Sequence, residues 1–153
     1  TVLEYGSGTG FYSKLLLQEK VKSLTVVDSS EEMIKNFSKT SKITKVVSFA
    51  ETLNLNRTFD FIICLGMLEF VKDPLTVIKN FNKHSNRKTS ILILVPKKTV
   101  FGWAYKFFHL INGNTITLFS QSKIENLFKQ EGWKMEKKAE AGLFSLVVKF
   151  RIL

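Results

Sequence analysis

A turn with glycine at every second position follows the first apolar segment of the chain. Residues 2–5 are predicted to form a short strand, and Gly6, Gly8 and Gly10 come directly after it. Glycine adopts positive φ freely and has no Cβ, so the backbone of such a turn can approach a ligand closely. A helix is predicted from Phe11, and its first N–H groups would point towards the same place. The turn therefore predicts a small-molecule site at the end of the first strand.

The spacing of the glycines separates two kinds of nucleotide-binding turn. Dinucleotide-binding folds carry G-x-G-x-x-G, in which the third glycine stands further from the second than it does here. In this chain Gly10 comes two residues after Gly8, and Glu4 closes the strand before the turn. This segment resembles motif I of the class I S-adenosylmethionine-dependent methyltransferases. The resemblance implies that the turn packs against the amino-acid part of the cofactor.

Short apolar segments recur along the chain, with helical patterns between them. After residues 2–5, further strands are predicted at residues 24–27, 46–49, 59–65 and 91–95. The segment 59–65, the fourth strand of the chain, is apolar enough for a central position in a parallel sheet. Strands that alternate with helices favour a parallel sheet with right-handed crossovers.

Capping patterns mark the predicted helix starts. The first helix is predicted from Phe11 to about Lys20, because apolar residues recur four positions apart. At three later helix starts, a capping residue is followed by an acidic residue or by proline. These pairs are Ser29 with Glu32, Asp73 with Pro74, and Ser122 with Glu125.

The segment 97–119 shows no regular period and is predicted to be irregular. It is rich in aromatic residues and follows the fifth strand, where a substrate cap would lie. Ordinary core packing is the alternative. Residues 133–138 and 143–150 are predicted to form a closing hairpin.

These elements predict an α/β fold with a Rossmann-like, doubly wound sheet and helices on both faces. The sheet is predicted to have seven strands, mostly parallel, with an antiparallel edge from the C-terminal hairpin, as in the class I methyltransferases that the chain resembles. No repeat or linker divides the sequence, so residues 1–153 are predicted to form one domain. The chain opens on a strand at Thr1, and we expect an N-terminal segment to be missing.

Acidic residues are predicted at the edge where a doubly wound sheet binds its ligands, outside the carboxyl ends of the strands. Asp28 ends the second strand, and its two oxygens suit the vicinal hydroxyls of a ribose. The alternative is that it caps the next helix; the resemblance assigns the ribose role. Glu51 follows the third strand and is predicted to accept a hydrogen bond from the adenine amino group, or else to be an exposed loop acid.

Further residues at the same edge are predicted to complete the cofactor site. Glu4 would accept a hydrogen bond from the ammonium group of the cofactor, or hold the glycine turn through its N–H groups. Met33 would pack on the adenine or belong to the core, and Leu65 and Gly66 would form a wall near the sulfonium. The predicted cofactor-binding residues are Glu4, Gly6, Ser7, Gly8, Gly10, Asp28, Ser29, Met33, Ala50, Glu51, Leu65 and Gly66.

Two regions, 59–74 and 119–133, resemble small-molecule methyltransferases that include the ubiquinone-biosynthesis O-methyltransferases. Members of that group often carry a Glu-His pair after the fourth strand, linked to a metal. Glu69 matches the acid, but Phe70 stands where the histidine would be. We therefore predict no metal site.

Methyl transfer from a sulfonium is an in-line displacement, for which the protein mainly supplies position and electrostatics. If the acceptor is a hydroxyl, a side chain must take its proton, and Glu69, His109 and Tyr12 are the candidates. The other histidine, His84, lies in a polar segment and is predicted to face solvent. The predicted function is transfer from S-adenosyl-L-methionine, with S-adenosyl-L-homocysteine as product, to a small apolar or amphipathic acceptor.

The net charge of +10 keeps other functions open. Most of it comes from lysines spread along the chain, which favours a solvated surface, and nucleic acid is not expected as a partner. A nucleic-acid methyltransferase and a catalytically silent cofactor-binding domain are the alternatives. The aromatic segment could rest on a membrane surface. The single cysteine, Cys64, and the lack of a signal peptide favour the cytoplasm; the oligomeric state stays open.

Overall fold

The computed structural model describes residues 1–19, 21–37 and 40–153. Seven strands in these ranges belong to one sheet. They are β1 Val2–Tyr5, β2 Leu24–Asp28, β3 Ile43–Val47, β4 Phe61–Leu65, β5 Ser90–Pro96, β6 Trp133–Ala141 and β7 Ser145–Ile152. The helices are α1 Phe11–Gln18, α2 Glu31–Lys35, α3 Pro74–Lys83, α4 Val100–Ile111 and α5 Gln121–Gln130.

The sheet is parallel from β1 to β5 and antiparallel at β7. Its strand order is β3-β2-β1-β4-β5-β7-β6, and the order reverses between β1 and β4. The predicted C-terminal hairpin exists, but β7 lies inside the sheet between β5 and β6. The edge strand is therefore β6, and the antiparallel strand is not at the edge. The reversal between β1 and β4 is where doubly wound sheets bind ligands.

Helices cover both faces of the sheet. One core cluster joins Phe81 of α3 and Phe128 of α5 to the sheet. A second cluster joins Ile34 of α2 and Phe37 to β1, β2 and β4, with Leu16 of α1 packed against it. The predicted Rossmann-like, doubly wound fold is confirmed, and the buried Cys64 belongs to its core.

The helix caps differ in detail from the prediction. Asp73 caps α3 as expected, and its carboxylate accepts a hydrogen bond from the Leu75 N–H at 3.0 Å. The predicted cap Ser29 is wrong: Ser30 caps α2. The predicted cap Ser122 is also wrong, because Ser120 caps α5. Helix α1 ends at Gln18, and the predicted end at Lys20 lies outside the described residues.

The segment predicted to be irregular contains a regular helix, α4. The Thr99 hydroxyl caps it by accepting a hydrogen bond from the Gly102 N–H at 3.2 Å. A Cβ on Gly102 would lie 1.9 Å from the Lys97 carbonyl oxygen, so only glycine allows the helix to pack this closely. A parallel bridge between Lys97 and Phe119 joins the two ends of the segment. The apolar residues on its outer side hid the helical period.

Four strands also begin elsewhere than predicted. β3 covers residues 43–47, not 46–49, and β4 begins at Phe61, not at Phe59. β5 begins one residue earlier, at Ser90, and β7 begins two residues later, at Ser145. Within residues 1–19, 21–37 and 40–153, helices fall short of the length and apolar character needed to cross a membrane.

Candidate functional site

A cavity of about 290 Å³ opens at the carboxyl ends of β1, β2, β3 and β4. Five of the predicted cofactor-binding residues line it: Gly6, Asp28, Ser29, Ala50 and Glu51. The other lining residues, which are not among the predicted cofactor-binding residues, are Val27, Ser48, Phe49, Met67, Phe70, Val71 and Lys72. The volume lies at the lower end of the range for small-molecule sites, roughly 300–1,000 Å³.

The glycine turn forms one wall of this cavity. Gly6 has φ +67°, in the left-handed region that side chains disfavour. A Cβ on Gly6 would also lie 2.4 Å from Cγ of Met67. Gly8 has φ +50°, and a Cβ there would meet no atom within 4 Å, so it would occupy open space. The turn thus presents bare backbone on its open side.

Asp28 connects the glycine turn to the start of α2. One carboxylate oxygen accepts a hydrogen bond from the Gly8 N–H at 2.8 Å, and the other accepts one from the Ser30 N–H at 2.9 Å. Each carboxylate oxygen has a second lone pair. The carboxylate can therefore hold the turn and still accept hydrogen bonds from a ligand in the cavity.

Glu4 does not hold the turn through backbone N–H groups, which is one of its two predicted roles. It is buried, and its carboxylate accepts a hydrogen bond from the Ser13 hydroxyl of α1. Burial raises the pKa of Glu4 to about 7, and the Ser13 hydrogen bond opposes that rise. Ser7, in the turn itself, has a buried hydroxyl oxygen without a hydrogen-bond partner. Ser7 does not line the cavity, so this oxygen lies in the interior of the turn.

The loop after β3 brings Glu51 to the opposite wall. Asn80 of α3 donates a hydrogen bond from its side-chain amide to the Ala50 carbonyl at 2.6 Å and so fixes this loop. Phe49, 67% exposed, lines the cavity beside Glu51. The sequence argument missed it because it placed residues 46–49 inside a strand. A strand ending at Val47 would have put Phe49 at the ligand-binding edge.

The other predicted cofactor residues do not line the cavity. Leu65 packs against the second core cluster, on the side of α1 and α2. Gly66 follows it with φ +75°. Met33 is half-buried on α2, and its backbone N–H donates a hydrogen bond to the Ser30 hydroxyl. Gly10, at φ +79°, is the residue before α1.

Glu69 is buried in the turn after β4, with 3% of its surface exposed. One of its carboxylate oxygens has no hydrogen-bond partner, and the other lies 3.9 Å from the position of a Cβ on Gly66. Burial raises the pKa of Glu69 to about 7. Burial raises the pKa of Tyr105 in α4, and the charge of Glu69 adds to that rise. An unpaired buried carboxyl group is unusual and often marks a functional site.

An aromatic cluster extends from the cavity towards α4. Phe70 lines the cavity, and its ring meets His109 edge to face at 5.3 Å between centroids. His109 meets Tyr105 in the same way at 4.5 Å. Phe144 stacks on Tyr105 at 5.2 Å between ring centroids. Of the three predicted proton acceptors, Glu69 and His109 therefore lie in one region, on the α4 side of the cavity.

Tyr12 and His84 lie apart from this region. Tyr12, on α1, packs against Phe11 and does not line the cavity. The prediction that His84 faces solvent is wrong, because it is fully buried. Its Nε2 accepts a hydrogen bond from the Leu55 N–H at 3.1 Å, and its Nδ1 contacts the Tyr5 hydroxyl at 2.8 Å. It anchors the loop before β4 to the core.

This fold and glycine-lined cavity are those of the class I methyltransferase architecture. Residues 1–138 match the family model described as a methyltransferase domain. The chain belongs to this methyltransferase-domain family, and the class predicted from the glycine turn is confirmed.

Comparison with known proteins gives the same fold. The magnesium protoporphyrin IX methyltransferase of Synechocystis PCC 6803, solved with bound S-adenosylhomocysteine, is 17% identical, with a TM-score of 0.79, over 99% of this chain and 74% of that one. An S-adenosylmethionine-dependent methyltransferase of Mesorhizobium loti is 14% identical, with a TM-score of 0.81, over 98% and 89% of the two chains.

A curated relative is more similar in sequence over a shorter stretch. The tRNA U34 carboxymethyltransferase of Nautilia profundicola is 30% identical over 98 residues, which is 60% of this chain and 33% of that protein. The chain thus spans about a third of the length of this relative.

Proposed function

We propose that this chain binds S-adenosylmethionine in the cavity beside the glycine turn and transfers its methyl group to a small, apolar or amphipathic acceptor. The observation that carries the proposal is the meeting of Gly6, Asp28 and Glu51 around one cavity in a methyltransferase-domain family member. The open space beside Gly8 supports it, because a ligand could lie against the bare backbone there.

Each wall of the cavity suits a different part of the cofactor. The Asp28 carboxylate would accept hydrogen bonds from the ribose hydroxyls, and Glu51 would accept one from the adenine amino group. Phe49 and Val71 offer apolar surface for the adenine ring. The amino-acid end would lie against the glycine turn.

The bound cofactor supplies an electrophilic methyl group on a positively charged sulfur. The protein holds the acceptor in line with that group and excludes water. If the acceptor is a hydroxyl, Glu69 takes its proton, because its carboxyl group is buried, has a free oxygen and has a pKa near neutrality. His109 lies in the same region and is the second candidate.

The side of the cavity nearest α4 indicates the kind of acceptor. Phe70, Tyr105, His109 and Phe144 form a continuous aromatic cluster there. Such a wall favours a planar or apolar acceptor over a highly charged one.

Calorimetric titration with S-adenosylhomocysteine tests cofactor binding. We expect binding to the wild type and at least a tenfold loss for Asp28→Ala, since a charge-assisted hydrogen bond contributes about 1.5–3 kcal/mol. Asp73→Ala is the matched control, because the carboxylate of this aspartate also accepts a backbone N–H hydrogen bond at a helix start but lies outside the cavity. No heat with the wild type, or equal affinity in both variants, would contradict the proposal.

A nucleic-acid acceptor is the second candidate. It is favoured by the similarity to a protein named for tRNA modification and by the net charge of +10. Binding of unmodified tRNA, with an affinity that falls steeply as salt rises, would support it.

A further inference from the structure

The outer side of α4 is an exposed surface made only of apolar residues, which we call the apolar face of α4. The helix contacts the rest of the protein through Gly102, which is buried, and through three half-buried residues, Tyr105, Lys106 and His109. All other positions of the helix are exposed and uncharged. The large side chains among them, each 54–69% exposed, are Phe101, Trp103, Phe107, Phe108, Leu110 and Ile111.

This face is larger than the scattered apolar residues of an ordinary surface. Since successive residues of a helix are about 100° apart, the exposed positions cover roughly half of its circumference. Contiguous apolar patches of this kind on a folded protein usually mark an interaction site. Two further apolar residues, Leu143 and Phe144 in the turn before β7, adjoin the helix, because Phe144 stacks on Tyr105 at 5.2 Å.

The charged residues that flank the apolar face of α4 along the sequence are all lysines. Lys98 precedes the helix, and Lys106 lies at the border of the face, where its ammonium group is 5.6 Å from the Trp103 ring. A third lysine, Lys97, is paired with Glu140 at 2.9 Å. The sequence between residues 97 and 120 contains no aspartate or glutamate. A negatively charged surface therefore complements this region.

We propose that the apolar face of α4 docks on an anionic phospholipid membrane, with the helix lying in the plane of the interface. Helices with an apolar side and flanking lysines bind membranes in this way. Tryptophan and other aromatic side chains are favourable at the level of the lipid headgroups. A second copy of the chain fits less well, because both partners would carry the same positive charge to the contact. This proposal goes beyond methyl transfer and does not depend on it.

Co-sedimentation with vesicles tests the docking. We expect the protein to sediment with vesicles of equal parts phosphatidylglycerol and phosphatidylcholine, and to bind pure phosphatidylcholine roughly tenfold more weakly, since each lysine near an anionic surface contributes about 1 kcal/mol. Phe107→Ser with Ile111→Ser should weaken binding to the mixed vesicles at least tenfold. Phe61→Ser with Leu153→Ser, two exposed apolar residues far from α4 in the sequence, is the control and should bind like the wild type.

The two tryptophans of the chain provide a second measurement that does not depend on any loss of stability. Trp103 is 54% exposed on the apolar face, whereas Trp133 is buried. Mixed vesicles should shift the fluorescence emission to shorter wavelength and allow lipid-borne quenchers to reach Trp103. In Trp103→Phe, which keeps an aromatic residue there, the protein should still sediment but the shift should disappear.

Three results would overturn the proposal. The first is absence of both sedimentation and fluorescence shift with either vesicle. The second is an equal loss of binding in the test and control variants. The third is a concentration-dependent dimer that Phe107→Ser with Ile111→Ser dissociates, because the face would then be an interface between two copies. Binding of S-adenosylhomocysteine should be unchanged in all of these variants.

Discussion

Replacement of Glu69 by glutamine should stabilise the protein at alkaline pH and slow proton removal from a hydroxyl acceptor. The carboxyl group is 3% exposed, and one of its oxygens has no partner. Burial raises its pKa from 4.5 to about 7, so the folded protein favours the protonated form more than the unfolded chain does. Glutamine has nearly the same shape and cannot ionise.

The size of the effect follows from the pKa. The rise of the pKa from 4.5 to about 7 corresponds to roughly 3 kcal/mol, because a tenfold change in a proton-binding constant is about 1.4 kcal/mol. Because the folded-state pKa is raised, this stability is fully present below pH 4.5 and is lost as the pH rises through 7. We therefore expect Glu69→Gln to be up to about 3 kcal/mol more stable than the wild type at pH 8, and nearly equal to it at pH 4.5.

Urea unfolding at a series of pH values measures this difference. The exposed Glu19→Gln is the matched control and should follow the wild type at every pH. In a screen for methyl acceptors, formation of S-adenosylhomocysteine by Glu69→Gln should fall and lose any rise in rate near pH 7. A variant that is no more stable at pH 8 than at pH 4.5, relative to the wild type, would refute the account of Glu69 as a buried ionisable group.

Other changes test the remaining contacts. Gly102→Ala should destabilise the protein by at least 2 kcal/mol in urea unfolding, because its Cβ would meet the Lys97 carbonyl at 1.9 Å; Ala104→Ser, two residues on and exposed, should be nearly neutral. His84→Ala should cost about 2–4 kcal/mol, since the hydrogen bonds to Tyr5 and Leu55 are lost. Burial lowers the pKa of His84, so wild-type stability should fall as the pH drops below the unfolded value of 6.5.

The fold could be predicted from the sequence because its signals are local. The glycine turn and the alternation of apolar strands with capped helices determine a doubly wound sheet. The position of β7 inside the sheet could not be predicted, because a hairpin pattern does not say which of its two strands pairs with β5, the last parallel strand. The helix α4 could not be predicted because its pattern is the reverse of an ordinary surface helix: its outer side is apolar, whereas its inner side includes Lys106 and His109.

The residues that line the candidate cavity could be predicted in part. Asp28, Glu51 and the glycine turn were found because each follows directly after a strand of the predicted sheet. Phe49 was missed because it depends on where β3 ends, and strand ends are poorly marked in sequence. His84 is buried because it contacts Tyr5 and Leu55, which are distant in the sequence. The polar residues next to His84 in the sequence do not reveal these contacts.

A crystal structure grown with S-adenosylhomocysteine tests the central claim most directly. The account predicts that the ribose lies at Asp28, the adenine near Glu51 and the amino-acid end along the glycine turn. The adenosyl group bound elsewhere, with Asp28 in contact only with Gly8 and Ser30, would contradict it.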